Sequence, residues 1–260
     1  MAVKFTILGS GSGGNCTYVE TAEARVLVDA GFSTRQIRQR LAMLSRVPEN
    51  LTAILITHEH SYHIQGLVGI AAKLNIPIYC NRATKEAFEF QLQTKFNCNL
   101  FNTGASFEIG DVLVDSFSIP HDAQDPVGYL LRTPAGNIGF VTDIGHMTKL
   151  VIERVRPANV LVLESNHDVK MLQDCPRRSW SLKQRILGRH GHLSNVAAAE
   201  AAAHIMSAEL KHLYLAHLSR ECNKPELAEH VMAEQLHHIG AKHVRMQIAA
   251  QDVPCATLEF

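Results

Sequence analysis

Residues 57–66, Thr-His-Glu-His-Ser-Tyr-His-Ile-Gln-Gly, hold three histidines close together. Imidazole is the commonest neutral ligand for zinc and also suits iron and copper. His58 and His60 are two residues apart, so an extended backbone points both rings to the same side. His63 follows where a helix should begin and can approach from another direction. This spacing predicts a metal site.

The predicted strands and helices repeat this arrangement at other points of the chain. An apolar run at 51–56 predicts a buried strand before the histidines, and 64–74 has the apolar spacing of a helix. His121, Asp143 and His217 each follow a later predicted strand, at 112–119, 138–142 and 213–216. Site residues in α/β proteins lie at the carboxyl ends of strands. Four such strand ends favour a hydrolytic centre, in which two metals about 3.5–4 Å apart share a carboxylate and generate hydroxide.

The remaining segments also alternate between strands and helices. A glycine-rich turn at 9–15 lacks the lysine of a P-loop and is followed by a strand, so we interpret it as a tight hairpin beside the site. No linker rich in Pro, Gly or Ser interrupts the chain, which predicts one α/β domain over 1–260. Further strands are predicted at 3–8, 16–20, 25–29, 76–80, 127–132, 159–163, 244–248 and 256–258; a turn at 107–111; and helices at 33–44, 83–96, 177–189, 196–210 and 225–238.

Composition restricts the class of protein. The 260 residues are 46% hydrophobic and 19% charged, which is enough for a substantial core. Lys plus Arg equals Asp plus Glu at 25 each, so no overall basic field indicates nucleic acid. Six cysteines without a C-x-x-C pair predict reduced thiols. The absence of a leader-like start and of a long apolar run predicts a cytoplasmic protein without a membrane partner.

Residues 57–66, which we name the histidine turn, are followed in the chain by His121, Asp143 and His217. This pattern resembles the metallo-β-lactamase fold over nearly the whole chain. The motifs at 9–15, 164–168, 191–195 and 216–219 are most similar to the bacterial YycJ/WalJ branch. The resemblance implies a four-layer αββα sandwich with a binuclear centre between its sheets. It also implies phosphodiester hydrolysis by a metal-bound hydroxide, in an exonuclease that degrades DNA, or alternatively RNA, from the 5′ end.

The resemblance also implies a set of ligands for two divalent ions, zinc first and manganese or iron as alternatives. One ion would be held by His58, His60 and His121, the other by His63 and His217, and Asp143 would bridge them. Tyr62 stands where the family turn has Asp. Three alternatives follow for Tyr62: it ligates as phenolate, it hydrogen-bonds beside a ligand, or it fills the second site and leaves one ion.

Further residues near the implied site are candidates for catalysis and substrate binding. His192 could protonate a leaving oxygen or bind phosphate, and Glu164 and His167 could orient His192 or a ligand. Asp29 could have the same orienting role or form a turn. Asp143 counts as catalytic through its bridging position. The candidates for substrate binding are Ser10, Asn15, Asn166, Ser194 and Asn195; Ser194 or Asn195 also suits a helix N-cap.

A local basic run precedes His192 and could neutralise phosphates or form a solvated helix face. Two other functions stay open. One is a small-molecule hydrolase acting on a lactone, thioester, cyclic nucleotide or β-lactam; the other is a weakened relative that binds nucleic acid without turnover. The basic run comprises Arg177, Arg178, Lys183, Arg185 and Arg189; surface positions are expected for His237, His238 and His243, and core positions for Met206, Met232 and Met246.

Overall fold

Two seven-stranded sheets make up the centre of the computed structural model, which describes residues 2–260. Strands are numbered in chain order. The first sheet has the order β14-β1-β2-β3-β4-β5-β6 and the second β13-β12-β11-β10-β9-β8-β7. The first contains β1 (Lys4–Gly9), β2 (Cys16–Glu20), β3 (Arg25–Val28), β4 (Ala53–Leu55), β5 (Ile78–Cys80), β6 (Cys98–Leu100) and β14 (Leu258–Glu259). The second contains β7 (Ser106–Ile109), β8 (Val112–Ser118), β9 (Val127–Thr133), β10 (Gly136–Val141), β11 (Val160–Glu164), β12 (His212–Ala216) and β13 (Arg245–Ile248).

Helices cover the outer face of each sheet. They are α1 (Thr34–Met43), α2 (Ser61–Ile64), α3 (Arg82–Leu92), α4 (Lys149–Val155), α5 (Val169–Asp174), α6 (Trp180–Leu187), α7 (Asn195–Ile205) and α8 (Pro225–His238), with a 3₁₀ turn at Pro48–Asn50 and a π-helical turn at Val68–Ala72. Apolar residues of α1 and α3 pack on the first sheet, and those of α4, α7 and α8 pack on the second. The predicted four-layer αββα sandwich is confirmed.

The inner faces of the two sheets bury a shared core that is rich in aromatic and β-branched residues. Phe5 of β1 contacts Tyr214 of β12 at a ring-centroid distance of 5.1 Å and Phe140 of β10 at 6.2 Å. Aromatic contacts at these distances stabilise a core beyond the area that they bury. The two sheets are therefore held face to face beneath the ends of their strands.

Strand direction decides where the site forms. Strands β10, β11 and β12 run parallel, and β8 runs in the same direction because each of β8 and β10 is antiparallel to β9. In the first sheet β3 and β4 are also parallel. The carboxyl ends of four strands of the second sheet therefore meet at one edge of that sheet.

Several predicted boundaries were wrong. The helix predicted at 64–74 is divided into α2 and the π-helical turn, and α3 ends at Leu92 because Gln93 adopts a left-handed backbone with φ of 49°. Helix α6 covers only part of 177–189, since the Ser179 side chain caps its start. Helix α7 ends at Ile205, five residues before its predicted end. The turn predicted at 107–111 is largely strand β7, and α4, α5 and β6 were not predicted.

Other expectations from the sequence are confirmed. All six cysteines are free thiols. The three surface histidines are exposed, Met232 is buried, and Met206 and Met246 pack against the core.

Within residues 2–260, no helix has the length and apolar character that crossing a membrane requires.

Candidate metal centre

Three histidine nitrogens converge at the mouth of the cleft between the sheets. His58 and His60 follow β4, and His121 lies two residues beyond Ile119, past the end of β8. Nδ1 of His60 lies 3.0 Å from Nε2 of His58 and 3.4 Å from Nε2 of His121. These nitrogens are close enough to one another to bind a single ion. We name this group the three-histidine site.

A second group of ligand-type atoms surrounds Asp143, which follows β10. Nε2 of His63 lies 3.1 Å from Oδ2 of Asp143, and Nε2 of His121 lies 3.7 Å from Oδ1. His217, after β12, approaches from the other side, with Nδ1 at 3.6 Å from Oδ1. The carboxylate of Asp143 therefore lies between the three-histidine site and the pair His63 and His217, as a bridging group would.

Four of these histidines use their second ring nitrogen to contact the protein. Nδ1 of His63 donates to Asp29 at 2.6 Å, and Nδ1 of His217 donates to Glu164 at 2.7 Å. His58 bonds to the Thr57 hydroxyl at 3.0 Å, and His121 donates to the carbonyl of Gly191 at 3.1 Å. Metal-binding histidines typically have such partners, which fix the tautomer and the orientation of the ring. Asp29 thus has an orienting contact, one of the two roles that the sequence left open.

The backbone turns sharply at three site residues. Asp29, Asp143 and His217 have φ values of 61°, 57° and 57°, in the left-handed region that side chains rarely adopt. Each residue directly follows the end of a strand or lies one residue beyond it. The turn brings each side chain back over the edge of its sheet, and non-glycine residues in this conformation are concentrated at functional sites.

Burial and neighbouring charges shift the protonation of the site. Burial lowers the pKa of His121 to about 4 and that of His58 well below its usual value, so both rings are neutral at pH 7. Burial acts in the same direction on His63, but the carboxylates of Asp29 and Asp143 raise the pKa of His63 to about 10. Burial also disfavours the charged form of Asp143, yet His217 and His63 hold its pKa well below the usual range.

Buried polar atoms without hydrogen bonds test whether a cation fits here. Both carboxylate oxygens of Asp143 and Nε2 of His217 are fully buried and have no hydrogen-bond partner. Burying polar atoms unsatisfied costs about 1–3 kcal/mol each. Imidazole nitrogens and a carboxylate are ligands of zinc, manganese and iron. A divalent cation would satisfy these atoms, and the residues present therefore fit a metal centre.

Tyr62 is the second residue of α2 and is half-buried beside both groups of ligand-type atoms. Its hydroxyl forms a hydrogen bond of 2.8 Å with Nδ1 of His60, and its ring stacks on His217 with centroids 5.7 Å apart. Burial and the nearby Asp143 raise the pKa of Tyr62 above its usual range. The phenol oxygen therefore points to the three-histidine site, whereas its ring covers His217.

A cavity of about 390 Å³ opens above the histidines. His192 lines it, and Nδ1 of His192 donates to Oε1 of Glu164 at 2.8 Å. The same oxygen accepts from His217. Burial lowers the pKa of His192, but Glu164 more than offsets this effect and raises it above the ordinary value. His192 is thus an oriented acid facing the cavity, and its ring contacts no protein group through Nε2 among the described hydrogen bonds.

The predicted substrate-binding residues are divided between the cavity and the protein interior. Asn166 lines the cavity. Ser10 donates to Asn15 and accepts from the amide of His217. Both side chains are buried and stabilise the backbone at the site. Ser194 caps α7, and Asn195 is buried with its amide bonded to Ser165 and Asn223. Predicted as an orienting residue, His167 is buried without any side-chain hydrogen bond.

Only part of the basic run faces the cavity. Arg178 and Arg185 line it, although Arg178 pairs with Glu221 at 2.8 Å and Arg185 with Asp122 at 2.5 Å. The ammonium of Lys183 instead donates to the carbonyl of Gln173 and is buried. Sequence reasoning did not single out four further polar residues that line the cavity: Ser12, Asp122, His190 and Ser219. All four lie within two residues of a predicted site residue, which was the one available signal.

Comparison with known proteins agrees with this geometry. Residues 24–218 match the beta-lactamase superfamily domain. The chain belongs to this superfamily, the family of the metallo-β-lactamase fold, and to its YycJ/WalJ branch. It is a metal-dependent hydrolase, as predicted.

Two relatives place the chain in that branch. It is 40% identical to exodeoxyribonuclease YycJ of Bacillus anthracis, over 88% of this chain and 87% of the relative. It is equally 40% identical to exodeoxyribonuclease WalJ of Streptococcus pneumoniae, over 86% and 85%. The crystal structure of YhfI from Bacillus subtilis, a metallo-beta-lactamase fold protein, shares the fold with a TM-score of 0.73, covering 100% of this chain and 99% of YhfI at 17% identity.

Proposed function

We propose that this chain is a cytoplasmic 5′-to-3′ DNA exonuclease that uses two divalent ions, with zinc as the preferred metal. The observation that carries the proposal is the buried Asp143 carboxylate, with two unsatisfied oxygens, between histidine nitrogens on both sides. The similarity to two exodeoxyribonucleases supports DNA as the substrate. RNA is the alternative polymer, which has the same phosphodiester chemistry.

The ligands divide into two sets. His58, His60 and His121 would hold the first ion, His63 and His217 the second, and Asp143 both. Bound divalent ions supply a Lewis acid for a phosphate oxygen and activate water at neutral pH. Asp29 and Glu164 keep Nδ1 of His63 and His217 occupied, so that Nε2 is the atom offered to a ligand.

Tyr62 completes the first set in this proposal. Among residues 2–260, the one hydrogen-bond partner of its hydroxyl is Nδ1 of His60. That nitrogen cannot form this hydrogen bond, as donor or as acceptor, while its lone pair binds an ion. The phenol oxygen must then find another partner, and the ion is the one that its position beside the three-histidine site offers. The Tyr62 side chain is longer than that of the Asp in the family turn. Its oxygen would therefore extend beyond the second ion to the three-histidine site.

His192 would act as the general acid. Cleavage of the P–O3′ bond leaves negative charge on a sugar oxygen, and that oxygen needs a proton. The hydrogen bond to Glu164 orients His192, and the Glu164 carboxylate raises the pKa of His192, which favours its protonated form. A positioned acid of this kind contributes typically 10²–10⁴-fold to the rate. His167, which makes no side-chain hydrogen bond, has a packing role in this arrangement.

Arg178 and Arg185 would bind substrate phosphate at the wall of the cavity. Guanidinium groups bind phosphate in a bidentate manner. Arg178 pairs with Glu221, and Arg185 pairs with Asp122, which also lines the cavity. A phosphate therefore has to compete with these carboxylates, which favours a doubly charged terminal phosphate over an internal one.

Digestion of single-stranded DNA tests the function. The protein, loaded with Zn²⁺ or Mn²⁺, is incubated with a 5′-phosphorylated oligonucleotide that has a fluorophore at its 3′ end. Successively shorter labelled strands are expected, with release of 5′-mononucleotides. Asp143→Asn and the chelated wild type control for a contaminating nuclease. Turnover of a β-lactam or a lactone, with intact DNA, would overturn the proposal.

A further inference from the structure

A second cavity adjoins the cavity of the metal centre. It has a volume of about 350 Å³, within the range of about 300–1,000 Å³ typical of ligand sites. The glycine-rich turn, the histidine turn and the end of α3 form its walls. Ser12 and Tyr62 line both cavities, so the two meet directly beside the three-histidine site. The two cavities are therefore adjacent, with Ser12 and Tyr62 at their shared boundary.

The two cavities differ in charge. The metal-centre cavity is lined by charged side chains, Arg178, Arg185 and Asp122, together with several histidines. No charged side chain lines the second cavity; the polar groups there are the amides of Gln65 and Gln91 and the hydroxyls of Ser12 and Ser61, beside the apolar Leu92. Uncharged hydrogen-bonding groups with an apolar surface suit a base and a sugar, whereas a terminal phosphate is favoured at the guanidinium groups.

We propose that the second cavity binds the nucleotide on the 3′ side of the cleaved phosphodiester in single-stranded DNA. This inference rests on the proposed exonuclease function. The 5′-terminal nucleotide occupies the metal-centre cavity, with its phosphate at Arg178 and Arg185. The scissile phosphate lies at the junction, beside Tyr62, and the strand leaves through the uncharged cavity. The charge difference between the cavities thus sets the 5′-to-3′ direction.

In this arrangement, water hydrolyses the phosphodiester that joins the first two nucleotides. A water oxygen bonds to phosphorus, the P–O3′ bond of the terminal nucleotide breaks, and the departing 3′ oxygen takes a proton. The products are a 5′-mononucleotide and a strand whose new 5′-phosphate belongs to the nucleotide in the second cavity. That nucleotide then moves across the junction to the guanidinium groups, which begins the next cycle.

Charge substitutions at Gln91 test the inference. Gln91 is exposed at the end of α3, so both Gln91→Glu and Gln91→Lys should fold. The readout is kcat/KM for a 5′-phosphorylated oligonucleotide relative to kcat/KM for bis(p-nitrophenyl) phosphate, which is a phosphodiester without nucleotides. Since one stacked or bonded base is worth about 1–3 kcal/mol, Gln91→Glu should lower this ratio roughly tenfold. Gln91→Lys should maintain or raise it.

A substrate change gives an independent readout. An oligonucleotide with an abasic second position should lose roughly tenfold in kcat/KM with the wild type, and much less with Gln91→Glu, because both changes remove the same contact. Gln173→Glu, with the same charge change at an exposed position outside both cavities, is the control that should keep the wild-type ratio.

The outcomes separate this inference from the proposed function. Hydrolysis of oligonucleotide with an unchanged ratio in Gln91→Glu would overturn the second subsite alone. An abasic position that has no effect would do the same. No hydrolysis of either phosphodiester under Zn²⁺ or Mn²⁺ would overturn the proposed function and this inference together.

Discussion

Oδ2 of Asp29 lies 2.6 Å from Nδ1 of His63, and both side chains are buried. Asp29 also accepts from the amide and hydroxyl of Thr57, so it connects β3 to the start of the histidine turn. Asp29→Asn should therefore lower metal affinity by about 10–100-fold, as loss of a partner of a metal-binding histidine does. Metal titration by calorimetry measures this effect. Asp174→Asn, an exposed carboxylate on α5, should bind metal like the wild type; an unchanged affinity in Asp29→Asn would show that His63 is not a ligand.

Tyr62→Phe tests the assignment of the phenol oxygen. We expect the Fe³⁺-loaded wild type to show a visible phenolate-to-iron absorption band that is absent in the variant. Affinity of the three-histidine site should fall by about 10–100-fold.

Tyr79→Phe is the matched control, because the Tyr79 ring stacks on Phe107 and does not line the metal-centre cavity. It should keep both the band and the affinity. A Tyr62→Phe protein with two ions per chain and undiminished affinity would place Tyr62 outside the ligand set.

His192→Ala should lower kcat on DNA by about 10²–10⁴-fold, because the departing sugar oxygen loses its proton donor. The loss should be much smaller on bis(p-nitrophenyl) phosphate, whose leaving phenolate needs no proton. Metal content, measured by mass spectrometry, should stay at the wild-type value. His190→Ala, at another cavity-lining histidine, should have little effect on either substrate. Equal losses on both substrates would mean that His192 is not the acid.

Gly31→Ala should disrupt the histidine turn. A Cβ at this position would lie 1.7 Å from the carbonyl oxygen of Tyr62, which accepts from the amide of Asn15. We expect a loss of about 1–3 kcal/mol in the free energy of unfolding, together with reduced metal content. Gly104→Ala, whose Cβ would meet nothing within 4 Å, is strained by its φ of 94° but should keep metal binding. If Gly31→Ala binds metal normally, the turn can shift without affecting the site.

Glu20 should give a pH-dependent contribution to stability away from the site. Burial alone would raise its pKa, but hydrogen bonds from Arg46 and Tyr18 hold it below the ordinary 4.5. Because the folded-state pKa is the lower one, the stabilisation is complete above the unfolded-state pKa and is lost as pH falls through the folded value. Glu20→Gln should cost about 1–2 kcal/mol at pH 7, and the difference should shrink in acid.

Denaturant titrations at several pH values measure this contribution. Glu49→Gln removes an exposed pair with Arg38 and should change stability little at any pH, since exposed ion pairs contribute little. A cost for Glu20→Gln that does not vary with pH would show that shape, rather than charge, is what matters at this position.

The ligand-type residues could be predicted because their position directly after apolar runs is visible in the sequence itself. An apolar run ends, a polar residue follows, and parallel strands then bring such residues to one edge. The orienting contacts could not be predicted in this way. Asp29 is 34 residues from His63, Glu164 is 53 from His217, and the Gly191 carbonyl is 70 from His121. Residues this far apart in sequence come into contact only when the two sheets and their turns pack together.

The exposure of the predicted substrate-binding residues also depends on packing and could not be predicted from the sequence. Ser10 and Asn15 belong to a glycine-rich turn that could expose or bury them, and only the packed structure shows that they bond to each other and to the amide of His217. The ends of α3 and α6 depended on a left-handed residue and on a serine cap, and neither was visible from hydrophobic periodicity.

The left-handed backbone at Asp29, Asp143 and His217 implies a trade-off between stability and activity. Each such residue costs about 1–2 kcal/mol relative to glycine, and folded domains have only about 5–15 kcal/mol in total. Glycine at these three positions would relieve the strain and remove the side chains that the site needs. The most stable sequence for this fold is therefore not the active one, and selection for thermal stability alone would remove the centre first.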